Sequence, residues 1–182
     1  MLVLPSGARG GGPSGTISRP SWVGDWDWFK NPLVGQRELN GLRVMMSLVN
    51  NWDLDQKNNS IDAISGERRY VVSDVGASFG NTGNMLTRSK SATPTSSLVD
   101  FVLHSRPFFL SAVNVSYYQD RTRMEQITKK IPRADAKWLG HRLSMLSAAQ
   151  IRAGFRAGGY ARQEVETYTA ATRKRIAELE AL

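Results

Sequence analysis

From Gln36 to Asn50, Leu39, Leu42, Met45, Met46 and Val49 recur at three- and four-residue spacing, which predicts one helix with a single apolar stripe. A polar loop follows from Trp52-Asp53 to Asn59. The pattern then shortens. Ser60–Ile64 and Glu67–Ser73 predict two strands joined at Ser65-Gly66 as a tight hairpin. Asp74-Val75-Gly76 ends the second strand, and residues 76–97, rich in Gly, Ser, Thr and Asn, predict a long loop. Val99–His104 and Phe108–Ser116 are β-branched and aromatic and predict strands. Helices return at Ala134–Met145, then after Ser147-Ala148-Ala149-Gln150, which has capping-box form, up to Gly158-Gly159. The last helix spans Ala161–Leu182, with Val165, Tyr168, Thr172, Ile176 and Leu179 on one face.

Ahead of these elements the chain reads differently. Residues 5–21 are rich in Gly, Pro and Ser and predict disorder, so residues 1–21 are assigned to a tail and residues 22–182 to one domain. The Gly-rich stretch lacks G-x-x-x-x-G-K-[ST] and no strand precedes it, so it is no phosphate loop. Met1–Leu4 ahead of Pro5 is shorter than the roughly 7–15 apolar residues of a signal-peptide core. No signal peptide is read in this chain, and the compartment stays open, with the cytoplasm favoured. Trp22, Trp26, Trp28 and Phe29, with Asp25 and Asp27, predict a loop anchored by its rings.

Composition narrows the chemistry. The 182 residues suffice for one domain, with 41% apolar and 22% charged residues and no run long enough to span a bilayer. No cysteine is present, which excludes disulfides, thiolate metal sites and cysteine nucleophiles. His104 and His141 are the only histidines, and neither has a partner at metal-motif spacing. The net charge of +8 favours phosphate-bearing partners, but no run of like charges or basic–aromatic motif marks a nucleic-acid interface. Solvated helix faces explain most of that charge, and a basic nucleic-acid binder remains an alternative.

The order helix, polar loop, hairpin, D-x-G carries candidate chemistry. Phosphoryl transfer needs a carboxylate at the attacking hydroxyl, oxygen ligands for magnesium, and a sharp turn beside the metal. Asn58 follows Asp53 by five residues, the spacing within H-R-D-x-x-x-x-N, and Asp74-Val75-Gly76 follows one hairpin later. The same residues also admit a local reading. Asp53 would cap a turn, Asn58 would form an Asx turn, and Asp74 would accept backbone N–H groups.

The segments N-N-W-D-L-D-Q-K-N-N (50–59) and Y-V-V-S-D-V-G-A-S-F-G (70–80) resemble the C-lobe core of the protein-kinase-like fold. The run 37–54 is similar to an acidobacterial family that resembles distant kinases of the lipid-kinase or atypical-kinase kind. The resemblance implies an α+β fold: a mainly helical kinase-like C-lobe, with catalytic and metal loops at 50–80 and a helical C-terminus at 134–182. It implies Asp53 as catalytic base, Asn58 and Asp74 as magnesium ligands, and Gly76 as the turn after Asp74. Arg88 and Lys90 would meet phosphate groups from an activation-type segment. ATP and Mg2+ would be the cofactors, with the phosphate acceptor open. Asn51 and Trp52 replace the histidine and arginine of H-R-D, and Val75 replaces the phenylalanine of D-F-G. The upstream lobe with its W-K-x-K lysine and partner glutamate has no counterpart. The expectation is thus a truncated phosphotransferase core, or else a non-catalytic interaction module that retains the scaffold. Apolar surface around helix 36–49 or the hairpin would favour self-association.

Overall fold

The computed structural model describes residues 2–3, 21–51, 54–64, 66–75, 78–79, 126–127 and 130–182. Among them are a four-stranded antiparallel sheet and four α-helices, an α+β fold as expected. The strands are β1 (Leu2–Val3), β2 (Ser21–Asp25), β3 (Asn59–Ile64) and β4 (Glu67–Val72), in the order β1-β4-β3-β2. The helices are α1 (Arg37–Leu48), α2 (Arg133–Ser144), α3 (Ala148–Ala157) and α4 (Arg162–Glu180). The candidate strands at 99–104 and 108–116 lie outside the described residues.

The hairpin β3–β4 forms where the alternating pattern placed it, with Ile64 opposite Glu67 and Asn59 opposite Val72. Gly66 supplies the turn at φ +82°, a conformation that L side chains rarely adopt. The tail departs from the sequence reading at both ends. Leu2–Val3 pairs with Tyr70 and Arg69 of β4. Ser21–Asp25, read as the tail's end and an aromatic loop, is a strand along β3, with a register shift between Trp22 and Gly24. Both pairings use main-chain groups of distant segments, which Gly/Pro/Ser content does not report. Residues 4–20 lie outside the described residues.

Helix α1 is central. Leu39 and Met46 enter a cluster with Trp26, Trp28, Leu33, Leu54, Tyr70 and Ile127. Val44 and Leu48 enter a second one with Ala136, Ile176 and Leu179. Its end is closed by Asn50 at φ +56°, a conformation tolerated by asparagine, and by Arg175, whose Nη1 donates to the Leu48 carbonyl at 2.9 Å. Trp26 and Trp28 are buried edge to face, 4.7 Å apart, and donate to the carbonyls of Val71 and Leu54. Trp22 and Phe29 are exposed, so only half of that aromatic cluster is an anchor.

The C-terminal helices follow their signals closely. Ser147 Oγ accepts from Gln150 N, and the Gln150 side chain accepts from Ser147 N, completing the capping box of α3. Val165, Tyr168, Thr172, Ile176 and Leu179 are all buried along α4. Phe155, Tyr160, Tyr168 and Phe79 pack as an aromatic group where α3 meets α4. Gly140 of α2 lies directly against the Leu179–Glu180 backbone of α4.

Candidate functional site

The hairpin register decides where the loops meet. Because Asn59 faces Val72, Asn58 comes opposite Ser73 and next to Asp74. The contact is made twice: Ser73 N and Ser73 Oγ each donate to the Asn58 carbonyl at 2.8 Å. Asn58 ends a short 3-10 helix, Gln56–Asn58, whose N–H bond runs from Asn58 to the Asp55 carbonyl at 2.9 Å. Both Asn58 and Asp74 are half-buried. Two residues separated by a hairpin in sequence are thereby brought to one end of the sheet.

The segment before the 3-10 helix is tied to the same place. Asn51 is fully buried, and its N–H donates to the Met46 carbonyl at 2.8 Å. Its side-chain amide reaches the Asp74 carbonyl at 3.4 Å and the Met46 sulfur at 3.6 Å. Further along, Phe79 N donates to the Val49 carbonyl at 2.7 Å, and Tyr168 Oη donates to the Phe79 carbonyl at 3.1 Å. The end of α1 thus holds both sides of the 74–79 segment, and α4 holds its far end. Asn51 entered the sequence reading only as a replacement for histidine. Its structural role depends on a partner 23 residues away, which spacing alone does not reveal.

Of the residues singled out beforehand, Asn58 and Asp74 lie at the same end of the hairpin, the Asn58 carbonyl being bonded to Ser73, the residue before Asp74. Asp53, Gly76, Arg88 and Lys90 lie outside the described residues, as does most of the 76–97 loop. Among the described residues there is no group of three or more His, Asp or Glu side chains suited to a metal ion. Magnesium does not require one. It keeps several waters and commonly takes one or two protein oxygens together with substrate phosphates. An amide oxygen and a carboxylate at one hairpin end fit that donor set.

Two ionisable groups are displaced by their surroundings. Burial pushes the Arg43 guanidinium below its ordinary value. It remains well bonded, with Nη1 donating to Asn40 Oδ1 at 3.1 Å and Nε to the Ile127 carbonyl, while Asn40 Nδ2 donates to Asp135 Oδ2 at 2.7 Å. This chain of bonds joins α1 to α2. Burial first, and Glu164 second, push the Tyr160 hydroxyl above the usual tyrosine value.

Comparison with models of protein families, with curated proteins and with solved structures finds no match to this chain. No helix among the described residues is long and apolar enough to cross a membrane.

Proposed function

We propose that residues 50–75 are the metal-binding half of a magnesium- and ATP-dependent phosphotransferase of the protein-kinase-like kind. The observation that carries this reading is the bonding of the Asn58 carbonyl to Ser73, the residue before Asp74, at the hairpin end. D-x-x-x-x-N and D-x-G are weak signals separately. The bond from Asn51 to the Asp74 carbonyl adds support, because it ties the candidate catalytic loop to the candidate metal loop.

In this reading Asn58 and Asp74 hold the ion, and Asp53 is the base, as the resemblance implies. Magnesium bound there would neutralise phosphate charge as the phosphoryl group is transferred. Asn51 fixes the backbone that carries Asp74, so that the carboxylate need not be reorganised on binding. The Ser73–Asn58 bonds do the same for the asparagine.

The test is calorimetric titration of ATP with and without magnesium, on the native chain and on Asp74→Ala. Binding should require magnesium and weaken about tenfold or more in the variant, the least expected for a lost ligand. Circular dichroism establishes equal folding. ATP binding that ignores magnesium, or that survives Asp74→Ala unchanged, would overturn the assignment and favour a scaffold without phosphotransfer chemistry.

A further inference from the structure

Phe79 holds a backbone conformation that its side chain disfavours. Its φ is +58°, in the left-handed region, where a bulky residue crowds its own main chain. Among the described residues only Asn50 and Lys130 share that region without being glycine, and asparagine tolerates it. Asn50 and Phe79 also lie close together: the Phe79 N–H donates to the carbonyl of Val49, the residue before Asn50, at 2.7 Å. A conformation of this kind persists only where its surroundings over-determine it, and such residues concentrate at binding and switch segments.

The surroundings of Phe79 do over-determine it. Besides its bond to Val49, its carbonyl accepts from Tyr168 Oη at 3.1 Å. Its ring stands edge-on to Phe155 at 5.1 Å and to Tyr168 at 6.4 Å. Tyr168 is fully buried on α4, so its hydroxyl is delivered from a fixed ring. At the other end of the segment the Asp74 carbonyl accepts from the buried Asn51. Between the two ends, Ser78 N donates to the Val75 carbonyl at 3.0 Å. The segment is thus pinned at its start by the end of α1, and at its finish by α1 and α4 together.

Strain and clamp oppose each other across this segment. Without the Tyr168 hydroxyl, Phe79 would keep its unfavourable φ but lose a bond that compensates it, and the balance would shift towards a relaxed backbone. Relaxation there displaces the chain that leads back to Asp74. A site that is competent only part of the time binds in proportion to that fraction. The hydroxyl can be separated from the ring, because phenylalanine would fill the same place beside Phe155, Tyr160 and Val165.

We propose that Tyr168 is a positioning residue for Asp74, acting through the strained Phe79 to hold the carboxylate where the metal ion needs it. This inference rests on the phosphotransfer reading. The test is the magnesium dependence of ATP binding, measured by calorimetry on the full chain as native protein, Tyr168→Phe, Asp74→Asn and the double variant. Tyr168→Phe should raise the magnesium concentration at half-saturation about threefold or more, within the range of one net hydrogen bond. In the Asp74→Asn background the same change should add nothing, since its effect runs through the carboxylate. Thr169→Val removes another buried hydroxyl from α4, one without a hydrogen-bond partner, and should leave the magnesium dependence unchanged. Phe79→Gly removes the ring and frees the backbone, so the same rise there serves if Tyr168→Phe does not fold. Native magnesium dependence in Tyr168→Phe would overturn this inference alone. So would an equal effect of Tyr168→Phe with and without the Asp74 carboxylate, or an equal effect of Thr169→Val. Absence of magnesium-dependent binding by the native chain would overturn the phosphotransfer reading and this inference with it.

Discussion

Replacing glycine by alanine should have opposite effects at two helical positions of this chain. Gly140→Ala places a Cβ 2.6 Å from Glu180 N, 2.7 Å from the Leu179 carbonyl carbon and 2.8 Å from Leu179 Cβ. Carbon atoms pack best at about 3.5–4.0 Å, so roughly 1 Å of separation must be created. Two of the three atoms belong to the α4 backbone, and no side-chain rotation can move them. Helix α4 must shift as a body, drawing Ile176 and Leu179 away from Val44, Leu48 and Ala136. Overpacking costs about 1–3 kcal/mol, and because backbone rather than a side chain must move here the upper part of that range, about 2–3 kcal/mol, applies, while the gain in helix propensity returns about 1 kcal/mol. A net loss of about 1–2 kcal/mol follows. Gly154→Ala meets open space and keeps only the propensity gain, about 0.5–1 kcal/mol. The two variants should therefore differ by about 1.5–3 kcal/mol, or about 3–12 °C in Tm at roughly 2–4 °C per kcal/mol. Urea unfolding followed by circular dichroism measures the gap. If Gly140→Ala matches or exceeds the native chain in stability, the close approach of α2 and α4 is wrong.

Two further substitutions test other parts of the fold. Arg175→Met leaves the Leu48 carbonyl, at the buried end of α1, without the guanidinium bond it now accepts. Buried hydrogen bonds to charged groups contribute about 1.5–3 kcal/mol, so the urea midpoint should fall accordingly, and an unchanged midpoint would show that the bond contributes nothing. Tyr160→Phe should remove part of the chain's alkaline sensitivity. The Tyr160 pKa is raised in the folded state, so the native chain keeps a proton that the unfolded chain loses. That contribution is whole below the ordinary tyrosine pKa and is lost as pH rises through the raised value. Urea midpoints measured from pH 8 to 11 should therefore fall more steeply for the native chain than for Tyr160→Phe, and parallel curves would refute the assignment.

The C-terminal helices were legible because their signals are local. A capping box closes within four residues, and the α4 face repeats at helical spacing along one element. Helix α1 was legible in place but not in environment. Its periodic stripe accounts for Leu39 and Met46 in the first cluster, yet Val44 and Leu48 are buried as well. A stripe assumes one buried face, and this helix has packing partners on two. The aromatic segment failed for a related reason. Trp22 and Trp26 look alike in sequence, but only Trp26 has the Val71 carbonyl and the Trp28 ring beside it.

The candidate site was legible to the extent that a tight turn determines a register. Once Ile64 and Glu67 flank the turn, the antiparallel ladder sets Asn59 opposite Val72 and carries Asn58 to Ser73. The convergence of Asn58 with Asp74 therefore follows from a hairpin that the alternating pattern had predicted. The Asn51 bond to Asp74 does not follow, because it requires the packing of α1 beside the sheet. An apolar cleft beside the C-terminal half of α1 is further still from the sequence, since its walls come from all four helices and from Val75, Ser78 and Phe79. Only Gly154 left a trace, as an isolated glycine within a helical pattern. Such a residue is tolerated at a cost of about 1 kcal/mol relative to alanine. Gly140 has the α4 backbone against it. Gly154 has no such contact, and a Cβ added there would enter open space beside α3, so alanine is expected to be accepted at one position and refused at the other.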